Sequence, residues 1–509
     1  MGRIEMMILE IFSSILIGFS FMALYLYYII WMRPEGIRRK MKQLGISGPP
    51  PSSFFSGNME DIKKFMLEKE SSRGTITHDY SVFPHFDHWI KDYGPVFVFT
   101  MGNMPIMHVS NSDLVNDIRH CLSIDLGRNT FLKETLKPLL GDGIFKANGE
   151  TWSHQKRIIA PEFYLNKVKS MLDLMVDSAS SLLKLWESRM EDGGVEMEVY
   201  EDLRNFSADV ISRACFGSDY LKGEEIFFKL RALEEALSKP NLLAEITGFR
   251  FIPSKSNKEI LKLEREVNSL ILEMVEERKA SEEKNLLQTI LESAKEGFTA
   301  LDKKAKKFIV DSCKNIYFAG HETTAVAASW CLLMLALHPE WQDLVHAEVT
   351  EVCDVLSLDM QSLQKMKILT MVIQETLRLY PPGLLITRES LKDMKIGELQ
   401  IPKGLGIYIP VPTLHRDPDI WGPEALIFSP ERFAHGVTSA CGIPQAYIPF
   451  GIGARTCLGQ HFAMLELKIV LSHILSRFSV SVSQNYHHSP VSRLMLKPEF
   501  GIKLIVKKA

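Results

Sequence analysis

Apolar residues recur at spacings of three and four on charged backgrounds along residues 165–200, 201–216, 256–297, 302–338 and 461–478, a pattern that predicts amphipathic helices. Two stretches instead alternate apolar and polar residues between Gly and Pro: PVFVFTMG from Pro95 and IGELQIPKGLGIYIPV from Ile396, both predicted as strands. The expected body is therefore mainly α with a small β portion. Residues 11–31, IFSSILIGFSFMALYLYYIIW, carry no charge. At roughly 1.5 Å per residue the run is long enough to cross a bilayer of roughly 30 Å. Tyr25, Tyr27, Tyr28 and Trp31 crowd its end as an interfacial belt, and Arg33, Arg38, Arg39, Lys40 and Lys42 follow. The positive-inside rule puts that basic side in the cytosol and the N-terminal tip in the lumen. A cleaved signal peptide would have a shorter apolar core and a small-residue cleavage pattern.

Three parts follow: a luminal tip and transmembrane anchor over 1–32, a basic and proline-rich linker over 33–52, and one catalytic body over 53–509. In GISGPPPSSF, Pro49, Pro50 and Pro51 predict an extended spacer that ends any helix leaving the membrane. With 509 residues, 46% of them hydrophobic, and a net charge of -3, the chain can bury a large core and is not built to bind nucleic acid. Seven cysteines stand scattered without CxxC spacing, so neither a disulfide framework nor a zinc site is expected, and a reducing compartment fits. Residues 240–253, PNLLAEITGFRFIP, crowd apolar side chains between prolines. They read equally as a second membrane contact, the door of an apolar pocket, or ordinary core.

The sharpest chemical signal is FGIGARTCLG, residues 450–459. Taken alone, Cys457 reads as a small buried hydrophobe. Its neighbours say otherwise: Gly451, Gly453 and Gly459 let the backbone approach something bulky, and free N–H groups beside a thiol favour the thiolate that a metal needs. The GxG here is no dinucleotide loop, lacking the third glycine and a preceding strand.

Phe450, Gly453, Arg455, Cys457 and Gly459 match the FxxGxRxCxG haem-binding loop, and the chain thereby resembles the cytochrome P-450 monooxygenases. The resemblance implies the cytochrome P-450 fold behind an N-terminal transmembrane helix, haem b with Cys457 as axial thiolate, and Arg455 at a haem propionate. ETLR resembles the family's ExxR and FSPERF its later Arg motif, so Glu375, Arg378 and Arg432 would form a buried structural cluster. By spacing alone, Glu375 and Arg378 could equally be a weak surface pair.

AGHETT, residues 319–324, interrupts an apolar helix with a glycine and two threonines, residues that cost helix stability and suggest another use. A solvent-facing polar turn would show the same pattern. It resembles the family's oxygen-activation segment, which implies Glu322 and Thr323 as an acid–alcohol pair delivering protons and Gly320 as room for dioxygen. TWSHQKR resembles the WxxxR helix, with Lys156 where the family has arginine. Lys156 lies roughly 40° from Trp152 around a helix and Arg157 roughly 140°, which favours Trp152 and Lys156 as propionate partners. Arg388 resembles a further propionate contact.

With no flavin or nicotinamide module, electrons would come from an NADPH-dependent diflavin reductase at the endoplasmic reticulum, as the resemblance implies. VFPHFDHWIKDYG, SADVISRACFGSDYLKG and VDSCKNIYFAGHETTAV resemble the plant branch that includes gibberellin oxidases. That branch acts on rigid polycyclic terpenoids, ent-kaurane or gibberellin diterpenoid acids and oleanane-type triterpenoids. Phe131, Leu132, Tyr317, Leu384 and Leu385 are candidate pocket residues, and each could as well be core packing. Two other functions stay open: a haem-thiolate isomerase or dehydratase that needs no reductase, and a membrane-tethered terpenoid or sterol binder without turnover.

Overall fold

A computed structural model of the chain describes residues 3–70, 81–190, 193–217, 220–238, 255–278, 285–297, 303–352 and 358–509. The apolar loop of residues 240–253 lies outside them. Helix dominates, with small sheets at the margin.

The apolar N-terminal run forms α1 (Arg3–Tyr27), extended by a π turn over Tyr28–Met32. From Glu10 to Tyr27 its residues are exposed, and the helix is long and apolar enough to cross a membrane. The basic segment expected as part of a linker is instead a helix, α2 (Arg33–Gln43). The helix runs unbroken through the π turn into α2, so Pro34, which lacks an N–H for the ladder, falls where the winding has just loosened; Pro34, Ile37 and Met41 are buried against the body. Trp31 stacks on Phe54 with ring centroids 5.0 Å apart, so the N-terminal helix meets the body through an aromatic contact. The chain is non-helical only from Ile46 through the prolines, where the Ser47 carbonyl accepts from Val98 N at 3.0 Å.

The first predicted strand becomes a hairpin, β1 (Val96–Met101) and β2 (Met104–Val109), with Val96 opposite Val109. It is completed by β3 (Leu126–Gly127), β5 (Leu385–Ser390) and β6 (Gly406–Pro410) in the order β1-β2-β6-β5-β3. A second sheet sets β4 (Val195–Glu198) and β7 (Phe478–Val482) on either side of β10 (Lys503–Lys508). The two-stranded ribbon β8 (Pro490–Ser492) and β9 (Leu496–Pro498) lies between them in sequence.

The helices that frame the interior are α3 (Gly149–Ile159), α4 (Leu172–Ser188), α5 (Val199–Phe216), α6 (Tyr220–Ser238), α7 (Lys255–Arg278), α8 (Lys303–Leu337), α9 (Lys367–Leu379) and α10 (Gln460–Arg477). The helical period predicted across 165–200 is broken. Gly193 and Gly194 both adopt positive φ, at 96° and 100°, and turn the chain into β4 before α5 begins. Glu198 then caps α5, its carboxylate accepting from Tyr200 N at 3.1 Å and Glu201 N at 3.0 Å. The period of 256–297 likewise resolves into α7 and a separate helix, Leu286–Gly297.

Helix α8 runs 35 residues through the middle and is buried on nearly every side from Ile309 onward. Such burial all round, rather than along one stripe, marks a helix inside the core. Facing it, α5 presents Tyr200, Arg204, Ser207 and Ile211, spaced so that all four share one stripe. That stripe supplies most of the polar support described below.

Candidate active site

A cavity of about 400 Å³ lies between α8 and the loop of residues 449–459. Cys457 opens into it, with Phe450, Gly451, Arg455 and Gly459 around the thiol and Ala319, Gly320, Thr323 and Thr324 of α8 opposite. The loop is tied by Cys457 N donating to Phe450 O at 2.8 Å. Gly451 holds φ at +81°, which glycine adopts without strain. Surrounding walls raise the Cys457 thiol above its ordinary pKa, while a hydrogen bond from the Gly459 backbone pulls it down, so the N–H expected beside the thiol is there.

Gly453 does not face the cavity as expected of a cofactor contact. Its φ is +65°, and a Cβ there would lie 2.7 Å from Arg119 O, so this glycine lets two backbones pass. Gly320 is similar. It borders the cavity, but the space its missing side chain leaves is taken by Ile211, not kept for dioxygen.

At one end the cavity is strongly cationic. Arg455 Nη2 donates to Ala147 O at 2.9 Å and Asn148 Oδ1 at 3.0 Å, and its guanidinium lies 4.5 Å over the Trp152 ring. Lys156 Nζ donates to Ala454 O at 2.9 Å and sits 5.0 Å over the same ring. Arg157 is exposed and borders no part of the cavity, as the helical angle predicted. Arg388 donates to Thr387 O and Ile452 O. Arg128, which the sequence did not single out, completes the cluster: its guanidinium packs 4.5 Å over Phe145 and its buried Nε has no protein partner.

Among the described residues, none of Arg128, Arg388 and Arg455 pairs with a carboxylate. Burial lowers all three: Arg128 to about 10, Arg455 to about 9 with Arg128 adding repulsion, and Arg388 well below its ordinary value with Arg128 and Arg455 adding theirs. Arg388 is buried and Arg128 and Arg455 are half-buried at the cavity edge, and three such cations without a carboxylate partner suit an anion between them. A dianionic macrocycle with its carboxylates among them and its metal toward Cys457 satisfies both demands of the cavity, so the residues fit haem.

Helix α8 separates the two residues expected to work as a pair. Successive residues are about 100° apart on a helix, and Thr323 faces the cavity while Glu322 faces α5. The Thr323 hydroxyl donates to Ala319 O at 2.8 Å. The fully buried Glu322 carboxylate accepts from Tyr200 OH and Arg204 Nε and lies 2.7 Å from Lys497 and 3.2 Å from His321 Nε2. Burial alone would raise its pKa, but His321, Lys497 and Arg204 hold it well below the usual carboxylate range. Glu322 is thus an anchor of α8 and no part of the cavity wall.

Glu375, Arg378 and Arg432 do come together. Glu375 and Arg378 are fully buried and paired in a bidentate fork, both distances 2.7 Å, and Arg432 Nε lies 3.5 Å from Glu375 Oε1. Arg378 also donates to the carbonyls of His415, Ala425 and Ile427, pinning the segment that leads to the cysteine loop.

Among the pocket candidates, Leu132 and Leu385 line the cavity. Tyr317 is core, stacked on Phe216 at 4.1 Å, and Leu384 is buried away from the cavity. The Phe131 side chain lies outside the described residues. Glu466 of α10 was also missed. It is fully buried, accepts from Ser207 Oγ at 2.5 Å, and burial raises it to about 8.

The family model "Cytochrome P450" matches residues 76–506. The chain belongs to the cytochrome P-450 family. It is 50% identical over 510 residues to Cytochrome P450 714B2 of Oryza sativa subsp. japonica, covering 96% of this chain and 94% of that one. It is also 50% identical to Cytochrome P450 714B3 of Zea mays, over 97% of this chain and 94% of the relative. Cytochrome P450 714A2 of Arabidopsis thaliana is 42% identical, over 97% and 98%. A cytochrome P-450 carries haem on a cysteine thiolate, and this chain is accordingly a haem-thiolate monooxygenase supplied with electrons by a redox partner.

Proposed function

We propose that this cytochrome P-450 hydroxylates a rigid polycyclic terpenoid, a gibberellin or ent-kaurane diterpenoid acid or an oleanane-type triterpenoid, and can oxidise the product further. The carrying observation is the cavity's division of labour. Its cations gather at the end occupied by Arg128, Lys156, Arg388 and Arg455, while Leu132, Ile144, Phe145, Ile211, Ile316 and Leu385 leave the rest apolar. Apolar walls favour a flat, rigid hydrocarbon skeleton, which loses little conformational freedom on binding.

Cys457 would ligate the iron, with Phe450, Gly451 and Gly459 against the macrocycle and Trp152, Lys156, Arg128, Arg388 and Arg455 holding its propionates. When bound, haem supplies the metal at which dioxygen is activated for C–H hydroxylation. The protein's part is to exclude water with the apolar walls and to hold a hydroxyl, Thr323, where protons are needed. Helix α1 would anchor the enzyme in the endoplasmic reticulum with the body in the cytosol, beside an NADPH-dependent diflavin reductase.

Reductase-coupled microsomes given a mixed panel of diterpenoid acids and triterpenoids under labelled dioxygen, read by mass spectrometry, test this. One terpenoid class should gain the label. Turnover without NADPH or label would point to an isomerase or dehydratase, and ligand binding without turnover to a carrier; either overturns the proposal.

A further inference from the structure

On the half of α8 before the cavity, Lys307, Asp311 and Asn315 follow one another at steps of four, each step turning about 40° around the helix. All three reach to a single loop, residues 140–148, that none of the functional motifs includes. Asp311 accepts from Asp142 N at 2.8 Å. Asn315 Oδ1 accepts from Phe145 N at 3.0 Å, and its Nδ2 donates to Leu140 O at 2.7 Å. Lys307 bridges the carboxylates of Asp142 and Asp311.

Two glycines make the approach possible. A Cβ on Gly141 would lie 1.8 Å from Asp311 Oδ1, and one on Gly143 would lie 2.0 Å from Asn315 Nδ2. The next two residues, Ile144 and Phe145, line the cavity. At its far end the loop reaches Asn148, whose Oδ1 accepts from Arg128 N at 2.7 Å and Arg455 Nη2 at 3.0 Å. One short loop therefore carries a wall of the cavity between a clamp on α8 and the guanidinium cluster.

We infer that the Lys307–Asp311–Asn315 ladder is a positioning device for the reaction: it fixes where Ile144 and Phe145 stand, and so sets the width of the cavity over the reacting position. Loop segments ordinarily move more than the elements they join. Here backbone N–H groups of the loop are satisfied by Asp311 and Asn315, two buried side chains of α8, and the wall inherits that helix's rigidity. The inference needs the haem site but no particular substrate.

The test uses full-chain holoenzyme and compares Lys307→Met, which borders no part of the cavity, with Asn315→Ala and with Lys306→Met on the neighbouring exposed position. Three quantities are read: haem content from the reduced carbon-monoxide spectrum, amide deuterium uptake over 140–148, and the Kd ratio of a bulky biphenylimidazole to imidazole. At unchanged haem content, Lys307→Met and Asn315→Ala should both speed exchange at Asp142 and Phe145; Asn315 itself borders the cavity, so the azole ratio is read on Lys307→Met, where it should shift toward the bulky azole by about fivefold, one hydrogen bond's worth. Lys306→Met should do neither. Unchanged uptake and ratio in Lys307→Met overturn the inference. Equal weakening of both azoles with loss of haem also overturns it, since that marks a role in folding alone. If Asn315→Ala yields no holoenzyme, Lys307→Met decides.

Discussion

Gly320 of α8 and Ile211 of α5 meet so closely that a Cβ on the glycine would lie 2.5 Å from Ile211 Cδ1. Both border the cavity, so whatever displaces Ile211 moves it into the space a substrate uses. Gly320→Ala gains about 1 kcal/mol of helix propensity and incurs about 1–3 kcal/mol of overpacking. The net effect on thermal unfolding should be small, while azole binding weakens several-fold. Ile211 Cγ1 lies equally close, at 2.5 Å, so adding Ile211→Ala, which removes both carbons, should restore binding. Equal azole affinities in the wild type and Gly320→Ala would show that the contact has no bearing on the cavity.

The guanidinium cluster makes opposite predictions with and without haem. Arg128, half-buried and lacking a protein partner for Nε, burdens the empty cavity and suits the filled one. Arg128→Leu should raise the unfolding temperature of the haem-free protein and speed haem loss from the holoenzyme, because the repulsion it removes is the attraction haem needs. Measuring both forms side by side checks it; a variant destabilised in both would mean that Arg128 serves packing.

How much of this was legible turns on how local each contact is. The cysteine loop announces itself because its local spacing is the chemistry, whereas the spacing of Glu375 and Arg378 shows only that they can pair, and it is their full burial that separates the fork from a surface pair. Asn148 and Arg455 are 307 positions apart and Ser207 and Glu466 are 259 apart, so no window of sequence holds them together. Glu322 misled for a related reason. It adjoins Thr323 in sequence, but its partners come from α5 and from Lys497 on β9, and only the packing shows that they draw it away from the cavity. The apolar period across 165–200 reads as one helical span, and it hides both the turn at Gly193 and Gly194 and a strand of four residues.

Breaking the buried fork should be far worse than trimming its edge. Glu375→Ala leaves Arg378 charged and buried and strands Ser429 N, which donates to Glu375 Oε1 at 2.9 Å, for a loss of about 3–5 kcal/mol. Little holoenzyme should accumulate. Arg432→Lys, at the 3.5 Å contact, should retain most of it. The yield of the thiolate carbon-monoxide band per unit protein ranks the two, and parity between them would contradict the geometry.

Glu466 should make the enzyme less stable as pH rises through neutrality. Burial raises its pKa from 4.5 to about 8, outweighing the hydrogen bonds of Ser207 and Thr324, with no cation among the causes. Below pH 4.5 the carboxyl is protonated whether folded or not, and its contribution to stability is fully present. Between 4.5 and about 8 only the unfolded chain ionises, and stability falls by up to about 1.4 kcal/mol per pH unit. Above about 8 the folded form ionises too, and the decline stops. Glu466→Gln keeps the shape and an acceptor for Ser207 Oγ but cannot ionise, so this part of the pH dependence disappears. Urea midpoints at pH 5, 6.5 and 8 should show the variant gaining on the wild type at each step. A constant difference across the series would mean that Glu466 is ionised in the fold, held by a counter-charge that the packing around Ser207 does not supply.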